Sequence, residues 1–368
     1  MTDGHAIVEA KRTKAPPYKL LALDGGGIRG LITIEVLAEY FDYIAGTSTG
    51  AVIASCVSMG MSVDKIREFY VNSAELMFAK ASIFERLKYK FKDEPLAEKL
   101  RSEFQRHSGE QGIDEPRLGS PALKTLLMMI MRNATTDSPW PISNNPGAKY
   151  NRRSRPDCNL DLPLWQLVRA SAAAPTYFPP EQIQCGTHNF IFVDGGITTY
   201  NNPAFQLFLM ATLEPYNLGW KVASHEDMLI VSIGTGTSPQ ANGALTPDAM
   251  NLLFNASSIP SALMFAALNE QDFLCRVFGN CLEGDQLDRE VGNMIGKSGP
   301  VDRKLFTYVR YNAELTREGL NALELPDIKP EDVQKLDSVA HKRDLQRVGE
   351  AVARAKVRGE HFEKFCAG

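Results

Sequence analysis

The sequence predicts an α/β fold in which helices cover both faces of a mainly parallel central sheet. Short apolar runs typical of buried strands alternate with longer segments whose apolar residues recur at helical spacing. The apolar runs occupy residues 19–23, 41–45, 125–131, 190–193, 228–233 and 304–311. Because parallel strands are joined by crossovers that return along the sheet, this alternation favours a three-layer α/β/α architecture.

Two strand-turn-helix units open the predicted fold. Residues 19–23 form a strand that ends in a loop of three consecutive glycines, and a helix is expected over residues 31–40. A second strand, residues 41–45, leads through a Gly-Thr-Ser-Thr-Gly turn into a small-residue helix over residues 51–59. Further helices are expected over residues 164–174, 203–213 and 338–365, with loops at 136–156 and 235–247.

Composition and charge exclude several classes of protein. Hydrophobic residues make up 44% of the 368-residue chain and charged residues 23%, as in ordinary soluble globular proteins. The 40 basic and 44 acidic residues give a net charge of −4, so the chain carries no overall positive field. A nucleic-acid polymer is therefore not an expected partner.

Cysteine use and hydropathy indicate a location. None of the six cysteines forms a CxxC pair, and a chain of this size does not need disulfides to hold its core. The N-terminal residues lack the apolar run of a signal peptide, and the apolar stretch at residues 126–131 is too short to span a bilayer. We expect a cytoplasmic protein whose contact with a membrane is peripheral.

The expected helix over residues 31–40 meets the expected strand over residues 41–45 without a connecting loop. A crossover needs several connecting residues, because helix and sheet layers stand about 10 Å apart and each residue spans at most about 3.5 Å. The join between Tyr40 and Phe41 therefore predicts that residues of a longer natural chain are missing at this point.

The strongest local signal is Gly46-Thr-Ser-Thr-Gly50, a GxSxG pattern between a predicted strand and a predicted helix. A serine on such a sharp turn projects its hydroxyl clear of the sheet, and the flanking glycines avoid backbone clashes. The following helix aims its N-terminal amides at an anionic oxygen. Ser48 is therefore a candidate nucleophile, and a purely structural turn is the alternative.

The glycine loop at Gly25, Gly26 and Gly27 is the second candidate element. Consecutive glycines before a helix leave backbone N–H groups free to converge on a negative oxygen, as an oxyanion hole requires. A dinucleotide-binding oxidoreductase is the rival interpretation, because Gly25, Gly27 and Gly30 also satisfy GxGxxG after a strand. Asp24 disfavours it, because a carboxylate would lie beside the pyrophosphate, and no acidic residue ends the next predicted strand.

A nucleophilic serine needs a base. None of the six histidines stands in a recognisable strand-end loop of the hydrolase type. Asp194 directly follows the strand predicted over residues 190–193, at the carboxyl edge of the sheet where α/β proteins hold ligands. Its carboxylate could take the serine proton directly. The alternative is a capping or turn aspartate, since Asp-Gly-Gly alone is a weak motif.

Together these motifs resemble the patatin-like phospholipase family of the bacterial type. The matching segments are Asp24-Gly-Gly-Gly-Ile-Arg-Gly30, Gly46-Thr-Ser-Thr-Gly50, Ala170-Ser-Ala-Ala-Ala-Pro-Thr-Tyr-Phe-Pro-Pro180, Asp194-Gly195-Gly196, Asn201-Asn202-Pro203 and Ser232-Ile-Gly-Thr-Gly236. Their joint order is far more specific than any one of them. The resemblance implies a patatin-like three-layer fold.

The resemblance also implies a chemistry. It indicates a lipid acyl hydrolase of the phospholipase A type, with Ser48 as nucleophile and Asp194 as base in a dyad without histidine. The amides of Gly25 to Gly27 would form the oxyanion hole, and Arg29 matches a basic position that would support the substrate or the oxyanion. No metal or organic cofactor is expected. A catalytically silent patatin-fold binding module remains an alternative, beside the oxidoreductase.

Partners and domains follow from the same resemblance. The expected substrate is a phospholipid or another fatty-acyl ester. Some similar bacterial enzymes are regulated effectors activated by cyclic nucleotides, although no visible motif here supports such an activator. Residues 82–92 form a basic amphipathic pattern that suits either a bilayer interface or the protein's own core. The expected domains are a flexible lead-in (1–18), a catalytic domain (19–320) and a helical C-terminal extension packed on that domain (321–368).

Overall fold

Nine strands form one central sheet in the part of the chain that the computed structural model describes, which is residues 4–37, 41–77, 94–109, 112–175, 177–238 and 252–366. The strands are β1 (Tyr18–Leu23), β2 (Tyr43–Thr47), β3 (Leu126–Asn133), β4 (Ser138–Ser143), β5 (Glu181–Cys185), β6 (His188–Asp194), β7 (Met228–Ile233), β8 (Asn280–Glu283) and β9 (Thr307–Tyr311). Their order is β5-β6-β3-β2-β1-β7-β9-β8, and β4 pairs with β3 beside this path. The strands from β3 across to β8 are mutually parallel, whereas β4, β5 and β6 pair antiparallel.

Helices cover both faces of the sheet. They are α1 (Gly4–Thr13), α2 (Gly30–Val36), α3 (Thr49–Ser58), α4 (Val63–Met77), α5 (Glu94–Gly109), α6 (Leu164–Ser171), α7 (Ala204–Thr212), α8 (Leu252–Phe278), α9 (Arg317–Ala322), α10 (Pro330–Val333), α11 (Lys342–Lys356) and α12 (Glu363–Cys366). Leu21 and Leu23 of β1 belong to a core with α2, α3, α6 and α11, while Leu20 and Ala22 belong to a second core with α7. The predicted three-layer fold with a mainly parallel sheet is confirmed.

Strand β4 lies inside residues 136–156, which the sequence predicted to be a loop. Its Ser-Pro-Trp-Pro-Ile-Ser sequence reads as irregular because proline cannot donate a ladder hydrogen bond. The strand nevertheless pairs antiparallel with β3, with Pro139 opposite Arg132 and Pro141 opposite Ile130. Prolines are tolerated here because β4 lies off the main path of the sheet.

Helix α1 occupies part of the N-terminal lead-in, which the sequence analysis predicted to be loose. Val8 is buried, and Lys11 and Lys14 each place Nζ 2.6 Å from a carboxylate oxygen of Asp42. The prediction of a loose lead-in was therefore wrong for residues 4–13, because these contacts hold the helix against the sheet.

Helix α2 ends earlier than predicted. It stops at Val36, Leu37 is already extended, and β2 begins only at Tyr43. The expectation of missing residues assumed a helix continuing to Tyr40 and a strand starting at Phe41, so its premise was wrong. Residues 38–40 lie outside the described part of the chain, as does the predicted basic amphipathic segment at residues 82–92.

The C-terminal segment packs against the first helix of the fold. On α11, Leu345, Val348 and Val352 are fully buried, as the amphipathic pattern predicted. Gly349 lies so close to α2 that an added Cβ would stand 2.7 Å from the Ile32 carbonyl oxygen. The helix ends at Lys356, short of the predicted Phe365, because Val357 adopts an extended conformation. None of the helices described is long and apolar enough to cross a membrane.

Candidate active site

Ser48 occupies the turn between β2 and α3 in a strained backbone conformation. Its φ of 54° and ψ of −121° lie outside the regions that residues with a side chain normally occupy. The turn is possible because the residues two positions before and after Ser48 are glycines: a Cβ at Gly46 would stand 2.1 Å from the Gly50 carbonyl oxygen, and one at Gly50 would stand 2.2 Å from the Leu23 carbonyl oxygen. The sequence prediction of a sharp strand-turn-helix element is confirmed.

The Ser48 hydroxyl meets the carboxylate of Asp194. Ser48 Oγ donates a hydrogen bond of 2.6 Å to Asp194 Oδ2, and the N–H of Gly196 donates one of 2.6 Å to Asp194 Oδ1. Asp194 therefore both caps the turn that follows it and accepts the serine hydroxyl, so the two sequence interpretations of Asp194 are compatible. Ser48 is 9% exposed and Asp194 4%, and no histidine among the described residues shares in their hydrogen bonds.

Asp194 reaches Ser48 from a strand that runs against the parallel part of the sheet. Strand β6 is antiparallel to β3, and only the last residues of the two strands pair, with Asp194 opposite Met131 and Phe192 opposite Asn133. Ile130, the residue before Met131, pairs with Thr47 at the end of β2. Asp194 therefore lies close to the end of β2. Asp194 thus lies at the sheet edge that the sequence indicated, and it reaches this edge from an antiparallel strand.

Burial raises the pKa of Asp194 to about 6. The hydrogen bonds from Ser48 and Gly196 and the positive charge of Arg169 act in the opposite direction and keep the pKa from rising further. A carboxyl group with this pKa is largely ionised at neutral pH, yet it is a stronger base than an ordinary aspartate. Asp194 is therefore suited to accept a proton from the serine.

The glycine loop has two uncommitted amides. The N–H of Gly25 donates to the Asn201 carbonyl at 3.2 Å, and that of Ile28 donates to the Leu336 carbonyl at 2.9 Å. Within the described residues, the N–H groups of Gly26 and Gly27 have no such partner. Of the three amides predicted to form an oxyanion hole, that of Gly25 already holds the loop against Asn201, and the role of the Gly26 and Gly27 amides stays a prediction.

An ion pair anchors the start of the glycine loop. Both carboxylate oxygens of Asp24 accept hydrogen bonds from Arg310, and Arg310 Nη1 also donates to Ser232 Oγ at 2.7 Å. Asp24 and Arg310 are almost fully buried. The carboxylate therefore helps to hold the ends of β1, β7 and β9 together.

Arg29 lies in the 3-10 turn that follows the glycines. Burial lowers the pKa of its guanidinium to about 10, against the opposing effect of the negative charge of Asp24. Its Nε is buried and has no hydrogen-bond partner among the described residues. Its role in supporting the substrate or the oxyanion stays a prediction.

Three residues that position the site were missed from the sequence. Ser171 contacts the Ser48 amide, Asn201 contacts the glycine loop, and Arg310 pairs with Asp24. Ser171 and Asn201 stood inside quoted motif segments without an assigned role. Arg310 lies inside the last apolar run, and only the register of β9 against β7, which pairs it with Ser232, places it beside the loop. Among the described residues, no group of His, Cys, Asp or Glu side chains is placed to hold a metal ion.

Substitution of Gly25 by alanine tests whether the close approach of the glycine loop to Ser48 matters for activity. A Cβ at Gly25 would stand 2.4 Å from Asn201 Oδ1 and 3.2 Å from Ser48 Cβ. We expect Gly25→Ala to displace the loop and to lower kcat for ester hydrolysis about 10²- to 10³-fold, the loss typical of a misplaced oxyanion donor. Gly109→Ala is the control, because nothing lies within 4 Å of its added Cβ. Equal kcat values for the two variants would contradict the assignment of the loop.

The family of the chain follows from comparison with known proteins. A family model described as patatin-like phospholipase matches residues 21–208, just over half of the chain. The chain belongs to the patatin-like phospholipase family. The matched range contains the glycine loop, the Ser48 turn and Asp194, so the family resemblance inferred from the motifs is confirmed.

Individual proteins similar to this chain show how far the similarity extends. The chain is 30% identical over 253 residues to the 85/88 kDa calcium-independent phospholipase A2 of Rattus norvegicus, covering 60% of this chain and 27% of that protein. It is 27% identical over 318 residues to Patatin-T5 of Solanum tuberosum, covering 72% and 77%. The chain therefore spans about a quarter of the first relative. The crystal structure of VipD from Legionella pneumophila shares 14% identity, with a TM-score of 0.39, over 90% of this chain and 67% of VipD.

Proposed function

We propose that this protein is a lipid acyl hydrolase of the phospholipase A type that works through a Ser48–Asp194 dyad. The observation that carries the proposal is the 2.6 Å hydrogen bond from Ser48 Oγ to Asp194 Oδ2 at a strained turn. Membership of the patatin-like phospholipase family and relatives named as phospholipase A2 support a fatty-acyl ester of a phospholipid as the substrate class.

The first half of the cycle forms an acyl-enzyme. Ser48 Oγ attacks the ester carbonyl carbon while Asp194 accepts the hydroxyl proton, and the negative charge moves to the carbonyl oxygen. The amides of Gly26 and Gly27 stabilise this oxyanion. The intermediate collapses, the ester bond to the alcohol breaks, and Asp194 returns its proton to the departing alcohol oxygen. The acyl group is left on Ser48.

The second half of the cycle releases the fatty acid. Asp194 accepts a proton from a water molecule, whose oxygen attacks the acyl carbon and forms a second oxyanion held by the same amides. Collapse breaks the bond to Ser48 Oγ, which regains its proton from Asp194. Neither half requires a metal ion or an organic cofactor, because Asp194 accepts the transferred proton and the Gly26 and Gly27 amides stabilise the charge of the oxyanion.

The pKa of Asp194 sets the pH dependence. We expect kcat/KM to rise with pH through about 6 and to level off above about 7, because only the ionised carboxylate accepts the Ser48 proton. The measurement is hydrolysis of a soluble medium-chain acyl ester across this range. A profile that stays flat between pH of about 5 and 7 would contradict Asp194 as the base.

We further propose that residues 19–320 form the catalytic domain and that residues 321–368 pack on it as an extension. The contacts of Leu336 with Ile28 and of α11 with α2 support this division. A cytoplasmic location, peripheral contact with a membrane, and regulation as an effector stay predictions, as does a cyclic-nucleotide activator.

The test of the proposed function is release of fatty acid from phospholipid vesicles and of chromophore from a soluble medium-chain ester. We expect both activities, unaffected by a chelator. Absence of both in the folded protein would favour a silent binding module, and specific binding of NAD(P) without hydrolysis would favour the oxidoreductase alternative.

A further inference from the structure

The Ser171 hydroxyl contacts the backbone of the candidate nucleophile. The N–H of Ser48 donates a hydrogen bond of 3.0 Å to Ser171 Oγ, and Ser171 Oγ donates one of 2.5 Å to the Ile130 carbonyl. Ser171 is fully buried at the last residue of α6. Its hydroxyl therefore links the Ser48 turn to the neighbouring strand β3.

The direction of these hydrogen bonds is fixed. A hydroxyl has one proton to donate and two lone pairs that accept. Because the Ser171 proton is used on the Ile130 carbonyl, its lone pairs face the Ser48 N–H. That N–H is a buried donor, and leaving it without a partner costs about 1 to 3 kcal/mol.

Both backbone groups of Ser48 are therefore held. Its amide is bound by Ser171, and its carbonyl accepts hydrogen bonds from Ala51 N at 2.9 Å and Val52 N at 3.3 Å, in the first turn of α3. A positive φ at a serine persists only when the surroundings enforce it. The Ser171 contact adds to this enforcement from outside the turn, on the backbone of Ser48 itself.

The same end of α6 also holds the base. The N–H of Asp194 donates to the Ala173 carbonyl at 2.9 Å, only two residues beyond Ser171. The backbone amides of both dyad members are thus bound by one short segment, residues 171–173. A shift of this segment would change the distance between Ser48 Oγ and the Asp194 carboxylate.

We propose that Ser171 is a positioning residue that holds the Ser48 turn in its reactive conformation and in register with Asp194. The proposal rests on the proposed function, since it concerns the geometry of the same dyad. Ser171 touches neither reacting oxygen, so its effect is on the rate of acyl transfer and not on substrate binding. Loss of its acceptor oxygen would let the turn relax and misplace Ser48 Oγ.

The test compares Ser171→Ala with Ser55→Ala. Ser55 is an equally buried serine on α3 whose hydroxyl contacts the Met129 sulfur at 3.6 Å, away from the dyad. We expect Ser171→Ala to lower kcat on a soluble nitrophenyl ester about 10- to 100-fold with KM unchanged, the effect of a misplaced reacting group. Labelling of Ser48 by a fluorophosphonate should slow by the same factor. Ser55→Ala should retain both rates.

Two further variants keep the test decisive. Ser171→Thr retains the hydroxyl and should recover most of the rate, whereas Ser171→Cys offers only a weak acceptor and should not, even if Ser171→Ala fails to fold. If the wild type hydrolyses esters and the Ser171 variants have the same kcat and labelling rates as Ser55→Ala, this proposal alone is overturned. A wild type that is neither labelled nor active would overturn the proposed function as well.

Discussion

Ser48→Ala is expected to abolish ester hydrolysis, lowering kcat by at least about 10⁴-fold. The hydroxyl that it removes is the nucleophile, and no other described side chain donates to Asp194 Oδ2. The substitution removes one atom from a residue whose backbone is held by Ser171 and α3, so the fold should persist. Fatty-acid release from vesicles and near-ultraviolet circular dichroism measure the two effects.

The control for Ser48→Ala is Ser58→Ala. Ser58 is the last residue of α3, the helix that begins directly after Ser48. Ser58 is fully buried, and its hydroxyl contacts Thr125 and not the dyad. Ser58→Ala should retain near wild-type kcat. Activity that survives Ser48→Ala with the wild-type pH profile would contradict the assignment of the nucleophile.

Asp194→Asn is expected to lower kcat about 10²- to 10⁴-fold and, at the same time, to stabilise the protein. The activity loss follows because an amide cannot accept the Ser48 proton. The stability gain follows because burial raises the pKa of Asp194 to about 6 in the folded protein, above its ordinary value of 3.8. Ionisation of this carboxyl group therefore opposes folding, and asparagine does not ionise.

The stability gain has a defined pH window. Below a pH of about 4 the carboxyl group is protonated in both folded and unfolded states, so Asp194→Asn gains nothing from removing the charge. The gain grows as pH rises through about 6 and then stays constant. Each pKa unit corresponds to about 1.4 kcal/mol, so the free energy of unfolding should increase by about 2 to 3 kcal/mol at pH of about 8. Urea titrations at several pH values measure it.

Asp42→Asn is a control for which the expected change in the free energy of unfolding has the opposite sign. Burial raises the pKa of Asp42, but the hydrogen bonds and charges of Lys11 and Lys14 outweigh it and hold the pKa below its ordinary value. Asp42→Asn should therefore destabilise the protein above a pH of about 4, and the difference should shrink as pH falls further. If Asp194→Asn lowered the stability at pH of about 8, ionisation of Asp194 would not oppose folding, which contradicts this account.

The parts of the site that sequence reasoning located are those defined by local constraints. The Ser48 turn is recognisable because glycines at fixed positions on either side are needed wherever a serine adopts a strained strand-to-helix turn. Asp194 was located by the end of an apolar run and by the motif order of the family. The alternation of strands and helices likewise sufficed for the three-layer fold, because it records burial on both faces.

The parts that sequence reasoning missed depend on distant partners. Ser171 lies 123 residues from Ser48, and Arg310 lies 286 residues from Asp24. No local sequence pattern predicts which backbone amide will donate a hydrogen bond to a buried hydroxyl. The Gly25 amide was assigned to the oxyanion hole for the same reason, because its bond to Asn201 is visible only in the folded chain. The antiparallel direction of β6 also depends on pairing and not on local sequence.

The central claim is that Ser48 is a nucleophile activated by Asp194 without a histidine. Its most direct test is the rate at which a fluorophosphonate labels the protein, with the modified peptide identified by mass spectrometry. We expect a single adduct on Ser48, formed at least about 100-fold more slowly in Asp194→Asn. An adduct on another residue, or equal labelling of Ser48 in Asp194→Asn and wild type, would contradict the dyad.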